Sequence, residues 1–242
     1  MIVSHQYKFI YIKPMKTAGS SVEAGLLWSL KGLSGETILE EYEEFHGPDL
    51  VHSFGSRGSR RDPRSPYRPH LRPKEIRELV GKEAFESYVK VLTVRNPYDQ
   101  LVSHFWWWMW FNNRARWESI RKESSRRQRA EFMWWMVRRR KLITATRTRN
   151  FMRDEFGDIF PVQLIRFESL NSDFEEVCAS LRLPGRANLP KFKNDIRTTA
   201  SHYSQIYNLR SRLIASVLLN WEIKSLGYKF ERPSAQAGHL QM

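Results

Sequence analysis

The stretch "KPMKTAGSS", residues 13–21, joins an apolar segment, "YKFIYI" (7–12), to a helical pattern that begins "SVEAGLLWSL". A short run of β-branched and aromatic residues followed by turn residues is typical of a buried parallel strand. A strand that turns sharply into a helix presents unpaired backbone N–H groups and the positive end of the helix dipole. The stretch therefore predicts a strand, a turn and a helix, with an anion site at the turn.

The side chains of this turn fit the same chemistry. Gly19 lets the backbone approach a phosphate, Lys16 adds a positive charge, and the hydroxyl residues add donors. The order of residues is not that of a Walker A loop, because here the lysine precedes the glycine. An ordinary turn, with Ser20 as helix N-cap and Lys16 in solvent, is the structural alternative that this stretch alone leaves open.

A second element, "VLTVRNPYDQLVSHFW" (91–106), has a similar layout. It predicts a strand over 89–94 that ends at Arg95, and a helix that opens at Asn96-Pro97. Ser103 falls about two helical turns further along. Arginine offers a planar fork for phosphate, and a hydroxyl can complete the cradle. The structural alternatives are a buried ion pair for Arg95 and a neutral helix position for Ser103.

A third apolar run, "PVQLIRF" (161–167), predicts another strand, so the chain is expected to be α/β, with a P-loop-like parallel β-sheet flanked by α-helices. We expect one domain over 1–242 with a basic, aromatic helical insertion over about 104–149. Proline and glycine bracket a predicted helix at 73–80, and 53–72 is expected to be a loop. Helical spacing predicts one helix over 203–226 that ends at Gly227, and the tail 232–242 is expected to be disordered.

Composition sets further limits. The net charge of +14 and the isoelectric point near 10.1 imply an anionic partner. The one cysteine, Cys178, excludes a disulfide framework within the chain and a cysteine zinc site, and is expected in the core. The N-terminal residues fit neither a signal peptide nor a spanning helix. We therefore expect a soluble, cytoplasmic protein.

Together the two anion-binding elements resemble the cofactor motifs of sulfotransferases that use 3′-phosphoadenosine 5′-phosphosulfate (PAPS), most closely the type 2 family of carbohydrate sulfotransferases. "PMKTAGSS" is similar to the family's 5′-phosphosulfate loop and "RNPYDQLVS" to its 3′-phosphate motif. "PHLRPKEIRELVG", "LIRFESLNSDFEEVCASLRLP" and "NWEIKSLGYKFE" resemble later segments. Met15, Ser20 and Asn96 stand where the family often has proline, threonine and aspartate.

The resemblance implies transfer of a sulfuryl group from PAPS to a hydroxyl acceptor, without a metal. It places Lys16 at the leaving phosphate, and Arg95 and Ser103 at the 3′-phosphate. The 5′-phosphate would be held by the loop residues, which are Thr17, Ala18, Gly19, Ser20 and Ser21. The acceptor is expected to be a carbohydrate or another hydroxylated metabolite, such as an acidic glycan or a lipid-linked molecule.

The acceptor hydroxyl needs a base, and His70 is the first candidate because the family places a histidine before this helix. The alternative for His70 is a cap or surface position. Other candidates implied by position or resemblance are His52 and His46 as bases, Glu23 as a base or structural acid, Arg166 and Glu168 as a buried ion pair, and Asn194 and Arg197 in a closing loop.

The segment 104–141 matches the family poorly and contains two tryptophan clusters joined by a strongly basic stretch. It fits three interpretations: helices whose rings join the core, an acceptor site, or a membrane-surface element. Two rival functions also stand beside the sulfotransferase. One is a nucleotide-dependent phosphotransferase, although Walker A is missing. The other is a non-catalytic protein that binds nucleic acid or other anions through the basic helices, where nucleic acid is the less favoured ligand.

Overall fold

The computed structural model describes residues 1–31, 43–46, 50–54, 69–185, 189 and 202–232, with the backbone alone for 31, 43–46 and 50–54. The chain divides into two compact units. Unit 1 contains Met1–Arg95 and Thr148–Phe192, and unit 2 contains Asn96–Arg147 and Lys193–Met242. The predicted single domain over 1–242 stays a prediction.

Unit 1 contains a six-stranded sheet with the order β3-β4-β1-β2-β5-β6. The strands are β1 (Ile2–Ser4), β2 (Phe9–Ile12), β3 (Glu43–His46), β4 (Leu50–Phe54), β5 (Val89–Val94) and β6 (Gln163–Arg166). The α-helices among the described residues are α1 (Gly19–Lys31), α2 (Pro73–Val80), α3 (Lys82–Ser87), α4 (Pro97–Asn112), α5 (Arg114–Ile120), α6 (Ser125–Arg138), α7 (Arg140–Ala145), α8 (Leu170–Ser180), α9 (Leu209–Leu218) and α10 (Asn220–Ser225).

The three strands predicted from sequence are confirmed as β2, β5 and β6, which run parallel to one another. The α/β class is confirmed as well. The sheet is nevertheless mixed, because β1, β3 and β4 extend it with antiparallel pairs that the sequence did not indicate. These added strands are three to five residues long, too short for a recognisable alternation of polar and apolar residues.

The core of unit 1 lies where α1 and α8 pack near the parallel strands. Phe9 and Tyr11 of β2 are fully buried, as are Leu26 of α1 and Phe174 of α8. Cys178 joins this core as expected, and burial raises the pKa of its thiol to about 11. The apolar layer formed by α1 and α8 therefore covers the parallel strands, whose ends carry the candidate site.

Unit 2 is helical among its described residues. Its core contains aromatic rings from α4, α5, α6 and the turn Tyr203–Ile206, together with apolar side chains such as Ala215 of α9. Asn96 caps α4, since its side chain accepts a hydrogen bond from the N–H of Tyr98 at 3.1 Å. The helix start predicted at Asn96-Pro97 is confirmed.

The predicted single helix over 203–226 is wrong. It is a 3₁₀ turn followed by α9 and α10. Asn208 interrupts it, because its side chain accepts from the N–H of Ser211 at 2.8 Å while the Ser211 hydroxyl lies 2.8 Å from the N–H of Asn208. This reciprocal cap starts a new helix. Gly227 does end the segment, with φ of 72°.

Two other predicted regions have partial outcomes. The helix at 73–80 is confirmed as α2, with Pro73 at its first position and Gly81 directly after it. The predicted loop 53–72 begins too early, because residues 53 and 54 belong to β4. Residues 55–68 lie outside the described residues, as do residues 233–242 of the predicted tail. None of the described helices is long and apolar enough to cross a membrane.

Candidate functional site

The loop after β2 has the geometry of a tight turn that feeds a helix. Lys16 and Ala18 both have φ of 65°, in the left-handed region, and α1 begins at Gly19. The carbonyl of Ala18 accepts from the N–H groups of Ser21 at 2.9 Å and Val22 at 3.3 Å. Ser20 therefore lies inside the first turn, and the alternative that made it the N-cap is wrong. The predicted strand–turn–helix unit is confirmed.

The N–H groups at the start of α1 have no backbone acceptor among the described residues: no backbone carbonyl there accepts from the N–H groups of Ala18, Gly19 or Ser20. Unpaired N–H groups at a helix start carry the positive end of the helix dipole. Left-handed residues at alternate positions also curl a backbone so that its N–H groups converge, which is the geometry of an anion-binding nest.

A buried network of hydroxyl groups attaches this loop to the sheet. The hydroxyl of Thr17 lies 2.7 Å from that of Thr93 in β5, and Thr17 is fully buried. The hydroxyl of Tyr11 donates to the carbonyl of Gly19 at 3.2 Å and lies 3.3 Å from the Thr93 hydroxyl. The Thr17 hydroxyl thus faces the sheet.

Gly19 is required by a close approach. A Cβ atom at this position would lie 2.7 Å from Cγ of Lys13 and 3.3 Å from the hydroxyl of Tyr11. Movement of the Lys13 side chain away from such a Cβ atom would break a buried ion pair, because its Nζ lies 2.6 Å from a carboxylate oxygen of Glu23 and both residues are buried. The glycine thus lets α1 begin directly over this ion pair.

Glu23 is the counter-ion of two buried cations. Its second oxygen accepts from the Met1 ammonium at 2.5 Å. Burial by itself would raise the pKa of Glu23, but the charges of Lys13 and the Met1 ammonium outweigh burial and hold that pKa below its ordinary value. Glu23 is therefore an ionised structural acid, and its arrangement does not favour the alternative role as a base.

Arg95 brings the two sequence motifs together. It follows β5, and its Nη1 donates to the carbonyl of Lys16 at 3.3 Å, across 79 positions of sequence. Its guanidinium carbon lies 3.8 Å from the ring centroid of Phe167, which follows β6. Lys16, Arg95 and Phe167 meet because each follows the carboxyl end of one of the parallel strands. Those ends lie at one edge of the sheet, where α/β proteins place ligands.

His70 lies against the same loop. It adopts φ of 63° in the turn before α2, and its Nδ1 is 2.8 Å from the carbonyl of Lys13. A carbonyl only accepts, so Nδ1 carries the hydrogen and Nε2 holds the lone pair. Burial, aided by the charge of Lys13, lowers the pKa of His70 to about 4. The imidazole is therefore neutral at neutral pH and able to accept a proton.

In unit 1, Arg95 and His70 thus contact the backbone of the same stretch, at the carbonyls of Lys16 and Lys13. Ser103 lies in α4 of unit 2 and is half-buried. Arg166 ends β6, and Glu168 lies in the following 3₁₀ turn. Two of the other residues predicted from the sequence, Asn194 and Arg197, lie outside the described residues, as do the side chains of His46 and His52.

Lys13, Tyr11 and Thr93 are parts of the site that were not predicted from the sequence. One signal was present, because Thr93 is a hydroxyl residue within the apolar run "VKVLTV" and a buried hydroxyl needs a partner. Lys13 directly follows a buried strand, which is an unusual place for a solvated lysine. Phe167 gave no signal beyond its position after β6.

Among the described residues, no group of three histidine, cysteine, aspartate or glutamate side chains could hold a metal ion. No family profile matches this chain, and neither a curated protein nor a solved structure matches it.

Proposed function

We propose that this protein is a PAPS-dependent sulfotransferase that transfers a sulfuryl group to a hydroxyl acceptor. The observation that carries the proposal is the hydrogen bond from Arg95 to the carbonyl of Lys16. The resemblance pairs two motifs that are distant in sequence, one for each phosphate-bearing end of the donor. Their meeting at one edge of the sheet is what a single bound nucleotide requires.

The loop 16–21 suits the 5′-phosphate of such a donor. The N–H groups that open α1 and the left-handed positions at Lys16 and Ala18 form a concave row of donors. Gly19 keeps this row close to the underlying strand. The hydroxyls of Ser20 and Ser21, in the first turn of α1, would add further donors to the phosphate.

Arg95 suits the 3′-phosphate. Its guanidinium is held against the ring of Phe167 and by the loop carbonyl, so it loses little freedom when it binds an anion. A charged hydrogen bond to phosphate is worth about 1.5–3 kcal/mol. Ser103 remains a candidate for the same phosphate from the resemblance.

The proposed chemistry divides between Lys16 and His70. When bound, PAPS would supply the sulfuryl group. The Nε2 atom of His70 would accept the proton of the acceptor hydroxyl while the carbonyl of Lys13 holds its ring in place. The ammonium of Lys16 would stabilise the negative charge that grows on the leaving phosphate. The acceptor is a carbohydrate or another hydroxylated metabolite.

Calorimetric titration tests the donor assignment. The wild type should bind 3′-phosphoadenosine 5′-phosphate more tightly than AMP or ATP, because Arg95 contacts the 3′-phosphate. Arg95→Ala should lose that preference, with affinity falling about 10- to 100-fold. Arg182→Ala, which removes an exposed arginine of the same unit, should bind like the wild type. Equal affinity of the wild type for all three nucleotides would contradict the proposal, and a preference for ATP would favour the phosphotransferase.

A transfer assay with labelled PAPS and a panel of hydroxylated acceptors tests the catalytic assignment. Lys16→Ala should abolish turnover, because charge on the leaving phosphate then has no cation beside it. The same variant should keep measurable binding of 3′-phosphoadenosine 5′-phosphate through Arg95 and the loop. If Lys16→Ala turns over at the wild-type rate, Lys16 does not have this role.

A further inference from the structure

The helices α5, α6 and α7 carry far more positive than negative charge. Between residues 114 and 141 there are eleven arginines and lysines and three glutamates. Each glutamate is already paired with an arginine of the same segment, in the pairs Arg114–Glu118, Arg116–Glu131 and Arg127–Glu123. Eight cationic side chains therefore remain without an acidic neighbour in this segment.

Most of these eight side chains lie in solvent. Arg129 is half-buried and donates to the carbonyl of Gln205 at 2.8 Å. The other seven are exposed, and no ion pair joins any of them to a described residue: Arg121, Lys122, Arg126, Arg138, Arg139, Arg140 and Lys141. A surface with this excess charge attracts anions from a distance.

The end of α6 also exposes apolar side chains among these cations. Trp134 is 54% exposed and Val137 is 45% exposed, although neighbouring Trp135 and Met136 are buried in the core. The guanidinium of Arg138 lies 5.5 Å from the centroid of the Trp134 ring. Positions 134, 137 and 138 follow helical spacing within α6, which places the two apolar side chains beside Arg138 on one face.

We infer that this surface, formed by Trp134, Val137 and residues 138–141, docks on an anionic phospholipid bilayer. Trp134 and Val137 would enter the boundary between head groups and acyl chains, where tryptophan is favoured. The arginines and Lys141 would contact lipid phosphates, since basic residues near an anionic leaflet each add about 1 kcal/mol of attraction. This inference is independent of the sulfotransferase proposal.

A bilayer fits this surface better than a nucleic acid does. Single-stranded nucleic acid would use arginines for its phosphates and stack bases on tryptophan, but it offers nothing to an exposed aliphatic side chain such as Val137. A phospholipid surface presents an anionic layer directly above an apolar one. The cations at the end of α6 match the anionic layer, and the neighbouring Trp134 and Val137 match the apolar one.

Vesicle co-sedimentation of the full chain tests the inference. The protein should sediment with vesicles that contain phosphatidylserine and remain in solution with vesicles of phosphatidylcholine alone. Binding should weaken steeply as the salt concentration rises from about 0.15 M to about 1 M, because the attraction is screened. Tryptophan emission should shift to the blue on binding, and this shift should shrink in Trp134→Ala.

Two variants and a matched control make the result specific. Trp134→Ala should weaken vesicle binding about tenfold, and the double variant with Arg138→Gln and Arg139→Gln about thirtyfold. Leu213→Ala removes another exposed apolar side chain, on α9, and should bind like the wild type. Circular dichroism of each variant shows whether its helices are retained.

Three results would overturn the inference. One is equal binding to vesicles with and without phosphatidylserine. Another is wild-type binding by both variants while their helices are retained. The third is retention by single-stranded oligonucleotides without any binding to vesicles, which would assign the surface to nucleic acid instead.

Discussion

A buried ion pair lies at the base of the candidate site and shows how single residues shape it. Lys13 and Glu23 are both almost fully buried, and their charged atoms lie 2.6 Å apart. The carbonyl of Lys13 also accepts a hydrogen bond from His70, and the aliphatic part of its side chain packs beside the backbone at Gly19. One residue outside the predicted set therefore positions the loop, the first helix and the proposed base.

Replacing Glu23 by glutamine should destabilise the protein by about 3–5 kcal/mol, because it leaves Lys13 as a buried charge without a counter-ion. Since the pKa of Glu23 is lowered on folding, the stability gained from the charged form is present above its unfolded value, about 4.3. That stability is lost as the pH falls through the folded value. Urea denaturation at neutral pH measures the difference. Glu78→Gln, at an exposed position, is the control and should stay within about 0.5 kcal/mol of the wild type.

His70 should remain neutral well below the pH at which an exposed histidine titrates. Its pKa of about 4 lies below the unfolded value of about 6.5, so the unfolded chain takes up the proton first as the pH falls. The free energy of unfolding should therefore decrease between about pH 6.5 and pH 4. An NMR titration of the imidazole signals measures this pKa, and His70→Gln identifies the His70 signal by its loss. Titration of that signal near pH 6.5 would contradict the arrangement.

At the scale of elements, the aromatic segment divides into buried and exposed rings. Phe105 and Phe132 are fully buried, and their ring centroids lie 5.3 Å apart in an edge-on arrangement. Tyr207, beyond α6, also packs edge-on against Phe132 at 5.0 Å. The interpretation that its rings join the core is therefore confirmed for most of this segment, while its end carries the exposed surface described above.

Phe132→Ala should lower the free energy of unfolding by about 3–5 kcal/mol, because it opens a cavity where α4, α6 and Tyr207 meet. Phe111→Ala makes the same chemical change at a ring that is 62% exposed, and should lower the free energy of unfolding by less than about 1 kcal/mol. Chemical denaturation followed by far-UV circular dichroism compares the two. Similar losses for both variants would mean that the cluster does not hold the helices of unit 2 together.

Local signals predicted some elements well and others poorly. The strands β2, β5 and β6 are dense apolar runs, and α2 carries its own proline start and glycine end, so short sequence windows sufficed. The strands β1, β3 and β4 are stabilised by pairing with partners, which a window does not contain. The break between the turn at 203–206 and α9 depends on a cap at Asn208 that competes with apolar helical spacing.

At the scale of the whole molecule, charge dominates the expected behaviour in solution. A net charge of +14 on 242 residues repels itself in the compact state more than in the expanded one. Added salt screens that repulsion. The protein should therefore gain stability with ionic strength, in contrast to one held together mainly by surface ion pairs.

Raising sodium chloride from about 0.15 M to about 1 M should raise the midpoint of thermal unfolding by about 2–4 °C, which corresponds to roughly 1 kcal/mol for a chain of this size. Differential scanning fluorimetry measures the midpoint. Potassium chloride at equal ionic strength should give the same shift, because screening depends on charge and not on ion identity. A fall in the midpoint would mean that attractive pairs outweigh the repulsion.

The sequence by itself determined the α/β class, the three parallel strands, the strand–turn–helix loop and the position of Arg95 at the end of a strand. These follow from short-range patterns of apolar, turn and capping residues. Only the tertiary structure decided that Arg95 reaches the carbonyl of Lys16, that Lys13 is buried against Glu23, and which tryptophan of the basic helices stays exposed. Those facts depend on which distant segments pack together, and burial and charge pairing are properties of that packing rather than of any local stretch of chain.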